Sequence, residues 1–297
     1  MKKWMIMLAA AAFVSGLAAA ETFNSVYNDV QKLRNAGKRK EALAACKKAE
    51  KLAKNDLDKS RVYFFTGVLE CETGDCAKGI ETLRKTLEYY KHPHQKISCQ
   101  FHIAYYLGVL KKYDEAIAEM KQALVFGKGA RNSYLERAEV YICRYMLYQK
   151  KYKEAMAEAR KVKARMPENQ IMLLSVIFES AMKLGDKKTA QESVEKMLAI
   201  KCDTGSGYFT ARRHGNHFYR VNKDYDKALA CANEISANKK IARIYQLHGN
   251  FYAALTLEAM GKKAEAAAQW KILEKSGDKT FVPLAKKRLA PAKKAKK

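Results

Sequence analysis

Proline and glycine are scarce in this chain, 4 and 15 among 297 residues. So little of either excludes a collagen-like or low-complexity polymer, and 48% apolar residues are enough to build a core. On length alone, one large or two ordinary domains fit. Runs of β-branched residues are few while Ala, Lys, Glu, Leu and Met abound, which disfavours an all-β fold and favours helix. Beyond residue 20 there is no long uncharged apolar run, so no membrane span is expected there. Acid is short as well: 31 Asp and Glu face 57 Lys and Arg, a net charge of +26. Such an excess attracts acidic proteins, phosphate polymers and anionic lipid at long range. Also missing are a Gly-rich phosphate loop, a Ser or Cys nucleophile in a recognisable catalytic context, and a paired-carboxylate signature. Neither an enzyme, nor a small-molecule substrate, nor a cofactor is implied.

Lys2 and Lys3 precede an uncharged stretch from Trp4 to Ala20 that ends in Ala18, Ala19 and Ala20 before Glu21. A basic start, an apolar stretch and small residues at the break describe a secretory signal peptide over 1–20, cleaved after Ala20. Export follows, to a bacterial periplasm or, as the alternative, by secretion. Cleavage removes two lysines and no acid, so the mature chain stays strongly basic.

All seven cysteines lie beyond that break: Cys46, Cys71, Cys76, Cys99, Cys143, Cys202 and Cys231. An odd count at irregular spacings is not a disulfide framework, even in an oxidising compartment. Cys71 and Cys76, separated by the turn-like Glu72 to Asp75, are the best-placed pair.

One phrase recurs along the chain: a turn, then a charged residue, a small residue and a hydrophobic run. The small residues are Ala42, Gly79, Ala116, Ala155, Ala190, Ala228 and Ala266, at intervals of 37, 37, 39, 35, 38 and 38. Each interval reads as two helices. Phe23, Val26, Val30 and Leu33 share one helical face before Gly37; Ala42, Cys46 and Ala49 share the next. A pair of this length cannot bury its apolar faces alone but can when stacked on neighbours.

These residues resemble the tetratricopeptide repeat family over about 22–278. The likeness lies in the small residue of each second helix, in the larger apolar residue four later (Cys46, Leu83, Met120, Val194 and Trp270, with Ala in units four and six), and in Tyr113, Tyr152 and Tyr225 three before it. The small residue lets two helices cross closely, and the larger ones fill the groove so formed. Pro167 alone matches the closing proline, and the units exceed the family's usual length of about 34 residues. The resemblance implies an all-α, right-handed α-solenoid of about seven helix-turn-helix repeats over 21–279, closed by a capping helix at Phe281 to Leu289. A Lys-rich tail follows and should be disordered.

The resemblance also implies which first-helix positions face an inner groove. Carried over, they are Tyr27 and Gln31 in unit one, Arg61 and Phe64 in unit two, Phe101 and Tyr105 in unit three, and Arg137, Tyr141 and Arg144 in unit four. Arg213, His214, His217 and Arg220 follow in unit six and His248 in unit seven. Acids are rare there, with Glu179 and Glu258 the exceptions. Aromatic and Arg side chains on one surface suit a protein or peptide partner. The family's clamp for a terminal carboxylate needs Lys and Asn where Tyr27 and Gln31 stand, so that activity is not expected. The rival is a polyanion or membrane-surface binder acting through the Lys-rich surface and tail. His92, His94, Cys99 and His102 offer donors of the kinds zinc accepts, but not at the spacing of a zinc module, and Pro93 marks a loop; no metal is assigned.

Overall fold

A computed structural model describes residues 21–129, 132–202 and 205–290. The leader over 1–20 and the tail from 291 lie outside the described residues. The chain divides into two compact units, up to Lys91 and from His92. The first contains α1 (Phe23–Asn35), α2 (Arg39–Leu52), α3 (Asp56–Glu72) and α4 (Cys76–Tyr89). In the second stand α5 (Pro93–Val109), α6 (Tyr113–Phe126), α7 (Ser133–Tyr148), α8 (Tyr152–Lys161), α9 (Pro167–Leu184) and α10 (Lys187–Ala199). It continues with α11 (Gly205–Val221), α12 (Tyr225–Ala237), α13 (Arg243–Ala259), α14 (Lys263–Glu274) and α15 (Phe281–Leu289). No strand occurs among the described residues.

The repeat is written into the backbone at the turns inside each helix pair. Gly37, Gly74, Lys111, Lys150, Gly185, Lys223 and Gly261 all have positive φ, between 61° and 112°. Each stands five residues before the small residue of the phrase. At every one of them the next amide reaches back five residues to a first-helix carbonyl, as Lys112 does to Leu107 and Asp186 to Ala181, both at 2.9 Å. That bond closes the helix end in a Schellman motif, which requires the left-handed residue. Asp75, Asp186 and Asp224 then cap the following helix by accepting an amide hydrogen bond.

The small residues sit where helices cross. Ala42, Ala116, Ala155, Ala190 and Ala228 are fully buried, Gly79 is buried, and Ala266 is 2% exposed. The larger residues four positions on are buried too, among them Leu83, Met120, Val194 and Trp270. Burying each such large side chain is worth about 1.5 to 3 kcal/mol. In the first unit Phe23, Val26 and Val30 of α1 pack with Ala42, Cys46 and Ala49 of α2 and with Val62 and Leu69 of α3. In the second, each odd-numbered helix from α5 to α13 packs on its even partner and on the next odd helix, α5 on α7, α7 on α9, α9 on α11 and α11 on α13. The odd helices therefore line one face. On α15, Phe281 and Ala285 are buried against Leu247, Ala254, Trp270 and Leu273, so this last helix covers the apolar side of α13 and α14.

All seven cysteines are free thiols. Cys71 and Cys76 lie across the α3 to α4 turn as the spacing suggested, but they are not bridged: each sulfur donates to the other residue's carbonyl oxygen, at 3.7 and 3.6 Å.

Candidate functional site

In the first unit Tyr27, Arg61 and Phe65 come together between α1 and α3. The rings of Tyr27 and Phe65 meet edge to face at 5.5 Å, Phe23 stacks on Tyr27 at 5.6 Å, and the Arg61 guanidinium lies 5.9 Å from the Tyr27 ring centre. Phe64 contacts Phe65 edge to face and Gln31 is exposed one turn beyond Tyr27. Burial raises the Tyr27 pKa, and a hydrogen bond with Gln31 opposes that shift.

In the second unit α5 and α7, joined by Tyr113 of α6, carry a connected series of rings. Phe101 packs with Tyr134 and Tyr141, Tyr141 with Tyr105 and Tyr145, and Tyr145 with Tyr113 and Tyr148, all at centroid distances between 5.2 and 6.5 Å. Arg137 lies 4.7 Å from the Phe101 ring centre. Arg144 donates from Nε to the Tyr148 hydroxyl while its guanidinium carbon lies 5.5 Å from the same ring's centre. Tyr105 and Tyr148 are exposed at 37% and 42%. With Tyr141, Arg144 and Tyr145 they line a notch of about 260 Å³. Gly108 stands at its floor, where a Cβ would run into the Tyr145 ring.

Farther along, α9, α11 and α13 enclose a cavity of about 440 Å³ with Phe178, Met182 and Tyr252 as apolar wall and Glu179, Arg213 and Arg220 among its polar residues. Arg213 reaches Glu179 at 3.8 Å and the His214 Nε2 at 3.1 Å. Burial first, then the charge of Arg213, repulsion from His217 when that ring is protonated, and the charge of Arg144 hold the His214 pKa well below 6.5. His217 is lowered likewise by burial, Arg220, Arg213 and Lys183, and His248 by burial and Arg213. These imidazoles are neutral near pH 7, so the positive charge here belongs to Arg and Lys.

The residues expected on the groove of the second unit thus fall into two classes. Tyr105, Tyr141, Arg137, Arg144, Arg213, His217, Arg220 and His248 keep solvent-accessible surface on the odd-helix face. Phe101 and His214 do not: at 2% and 5% exposure they are the floor beneath Arg137 and Arg213 rather than contact surface. Phe209 and Tyr245, stacked at 4.5 Å, and Tyr134 belong to the same face and escaped the register. They lie near the starts of α11, α13 and α7, ahead of the positions the register assigns to the groove, and only aromaticity at helix spacing could have marked them.

The histidine group near residue 92 is corrected in one respect. Pro93 opens α5 rather than lying in a loop, and His94 occupies the helix's first turn, 3.4 Å from Asn132. Cys99 points into the core, and burial pushes its thiol up to about 12. His102 bonds the Ser98 carbonyl at 2.8 Å. Among the described residues no three candidate ligands converge on a metal position. Burial also raises the thiols of Cys46 and Cys231 to about 11 and of Cys143 to about 12, so none of these is poised as a thiolate. No described helix is long and apolar enough to cross a membrane.

No family model and no curated protein matches the sequence. Solved structures do. A tetratricopeptide repeat protein from Parabacteroides merdae aligns over 90% of this chain and 97% of its own, with 11% identity and a TM-score of 0.58. PilF of Pseudomonas aeruginosa aligns over 78% and 99%, with 15% identity and a TM-score of 0.53. The type IV pilus biogenesis factor PilW aligns over 76% and 97%, with 13% identity and a TM-score of 0.56. With these likenesses added to the repeated turns, the buried small residues at each crossing and the capping helix, the chain has the tetratricopeptide-repeat fold.

Proposed function

We propose that this chain is an exported, non-catalytic scaffold of the bacterial cell envelope that binds a protein or peptide segment on the face formed by the odd-numbered helices of its second unit. One observation carries the reading: aromatic rings and guanidinium groups alternate along α7, from Tyr134 and Arg137 to Arg144 and Tyr148, beside the rings of α5 at an open notch, with Tyr105, Tyr148 and Arg144 accessible. Rigid aromatics and Arg supply large contact area and charge-assisted hydrogen bonds at modest entropic cost, the composition of binding hot spots. The fold agrees, since stacked helix pairs present extended surfaces for partners. Export rests on Lys2, Lys3 and the apolar stretch to Ala20. The rival, a polyanion or anionic-membrane binder, is favoured by the net charge of +26.

The mature chain used as bait on a native envelope fraction tests this. A partner retained by the wild type and lost with both Tyr105→Ala and Arg144→Ala supports the groove. Capture unaffected by both substitutions but abolished by moderate salt supports the rival.

A further inference from the structure

The cavity between α9, α11 and α13 has chemistry that the peptide-groove reading does not use. Three cationic groups, Lys183, Arg213 and Arg220, line it against one carboxylate, Glu179. Glu179 reaches Arg213 and, at 3.5 Å, His214. Neither Lys183 nor Arg220 has an ion-pair partner among the described residues. The Nε atoms of Arg213 and Arg220 are buried with no hydrogen-bond acceptor, and Nδ1 of His248, whose ring stacks on the lining residue Tyr252 at 5.9 Å, is buried with no hydrogen-bond partner. Buried donors without an acceptor are costly and rare in folded proteins. Here two of them belong to the guanidinium groups of Arg213 and Arg220, residues that line one cavity of about 440 Å³. A cation is repelled by that charge. An oxyanion would accept from both guanidinium groups, and Phe178, Met182 and Tyr252 beside them would cover an apolar body attached to it.

We propose that this cavity is an oxyanion site that takes a carboxylate or phosphoryl group carried on an apolar moiety, held by Arg213 and Arg220. The site stands on other helices than the α5 to α7 notch, and it rests on the scaffold reading only for the identity of the molecule that carries the anion. Lys183 on the rim adds attraction without a fixed contact. Glu179 keeps Arg213 oriented and limits the charge the cavity accepts.

The mature chain labelled with 15N-arginine provides the test. Its Nε–H resonances for Arg213 and Arg220 are assigned by their loss in Arg213→Gln and Arg220→Gln. Phenyl phosphate, phenylacetate and neutral 2-phenylethanol are then titrated separately. At least one of the two anions should shift both resonances saturably, which of them does so telling a phosphoryl from a carboxyl source, while the alcohol should not. Each Gln variant should bind that anion about tenfold more weakly, whereas Arg160→Gln, on the exposed side of α8, should bind as the wild type does. Circular dichroism of the variants checks that they fold, and the wild-type titration stands by itself if one does not. Non-saturating shifts with both anions, equal shifts with the alcohol, or equal weakening in Arg160→Gln would overturn the site. Because no partner is used, that failure is separable from failure of the groove, whose tests fall on Tyr105 and Arg144, outside this cavity.

Discussion

Gly67 of α3 and Gly79 of α4 meet backbone to backbone: a Cβ on Gly67 would lie 2.7 Å from the Gly79 carbonyl oxygen, and one on Gly79 would lie 2.5 Å from the Gly67 carbonyl oxygen. Each of these contacts is closer than any Cβ tolerates, so the crossing of this helix pair depends on both residues lacking a side chain. Gly79→Ala should lower stability in urea unfolding by about 1 to 3 kcal/mol through overpacking. An unchanged midpoint would mean that the two helices are farther apart than described.

The left-handed turn residues make an opposite prediction. Gly37, Gly74, Gly185 and Gly261 adopt positive φ without steric cost, but Lys111, Lys150 and Lys223 hold it at 61° to 62° with a Cβ in the way. Lys150→Gly should therefore raise stability by about 0.5 to 1 kcal/mol, and Gly185→Ala should lower it by about 1 kcal/mol. Thermal unfolding of the two variants decides; equal shifts of one sign would contradict the turn geometry.

His214 sets a dependence on pH. Its folded pKa lies well below 6.5 because of burial and of Arg213, His217 and Arg144, whereas the unfolded imidazole takes up a proton near 6.5. Below that pH the unfolded state binds more protons, so stability is complete above it and declines as pH falls, with His217 and His248 adding to the slope. In His214→Gln the loss of Tm between about pH 6.5 and 5 should be shallower than in the wild type. A slope equal to that of the wild type would remove His214 from this account.

For export, the mature protein should begin at Glu21. N-terminal sequencing of the protein from its native source that found Met1 intact on a soluble chain would contradict the envelope assignment and the cleavage after Ala20.

Much of this fold is legible in the sequence, because its period has a local cause. A left-handed turn residue five positions before a small residue must recur whenever one helix pair repeats another, and it does so from Gly37 and Ala42 to Gly261 and Ala266. The division after Lys91 is not legible, since the phrase runs across it at an unchanged interval. The face of the odd helices was readable only in part. A register tells which side of a helix points inward, but not how far a neighbouring Arg reaches over it, and so Phe101 and His214 were placed on the surface although Arg137 and Arg213 lie against them. The aromatics Tyr134, Phe209 and Tyr245 are not legible as groove residues because they precede the first positions that the register assigns to the groove on α7, α11 and α13.

The central claim is that accessible rings and guanidinium groups on the odd helices, not bulk positive charge, bind the partner. Affinity of the mature chain for its captured partner at low and high salt, measured with Tyr105→Ala, Arg144→Ala and a chain ending before Lys293, tests it most directly. The groove account predicts that each substitution weakens binding by about 1 to 3 kcal/mol at both salt concentrations, while tail removal changes mainly the association rate and its salt dependence. Unchanged affinity in both groove variants, with a large loss on removing the tail, would contradict it.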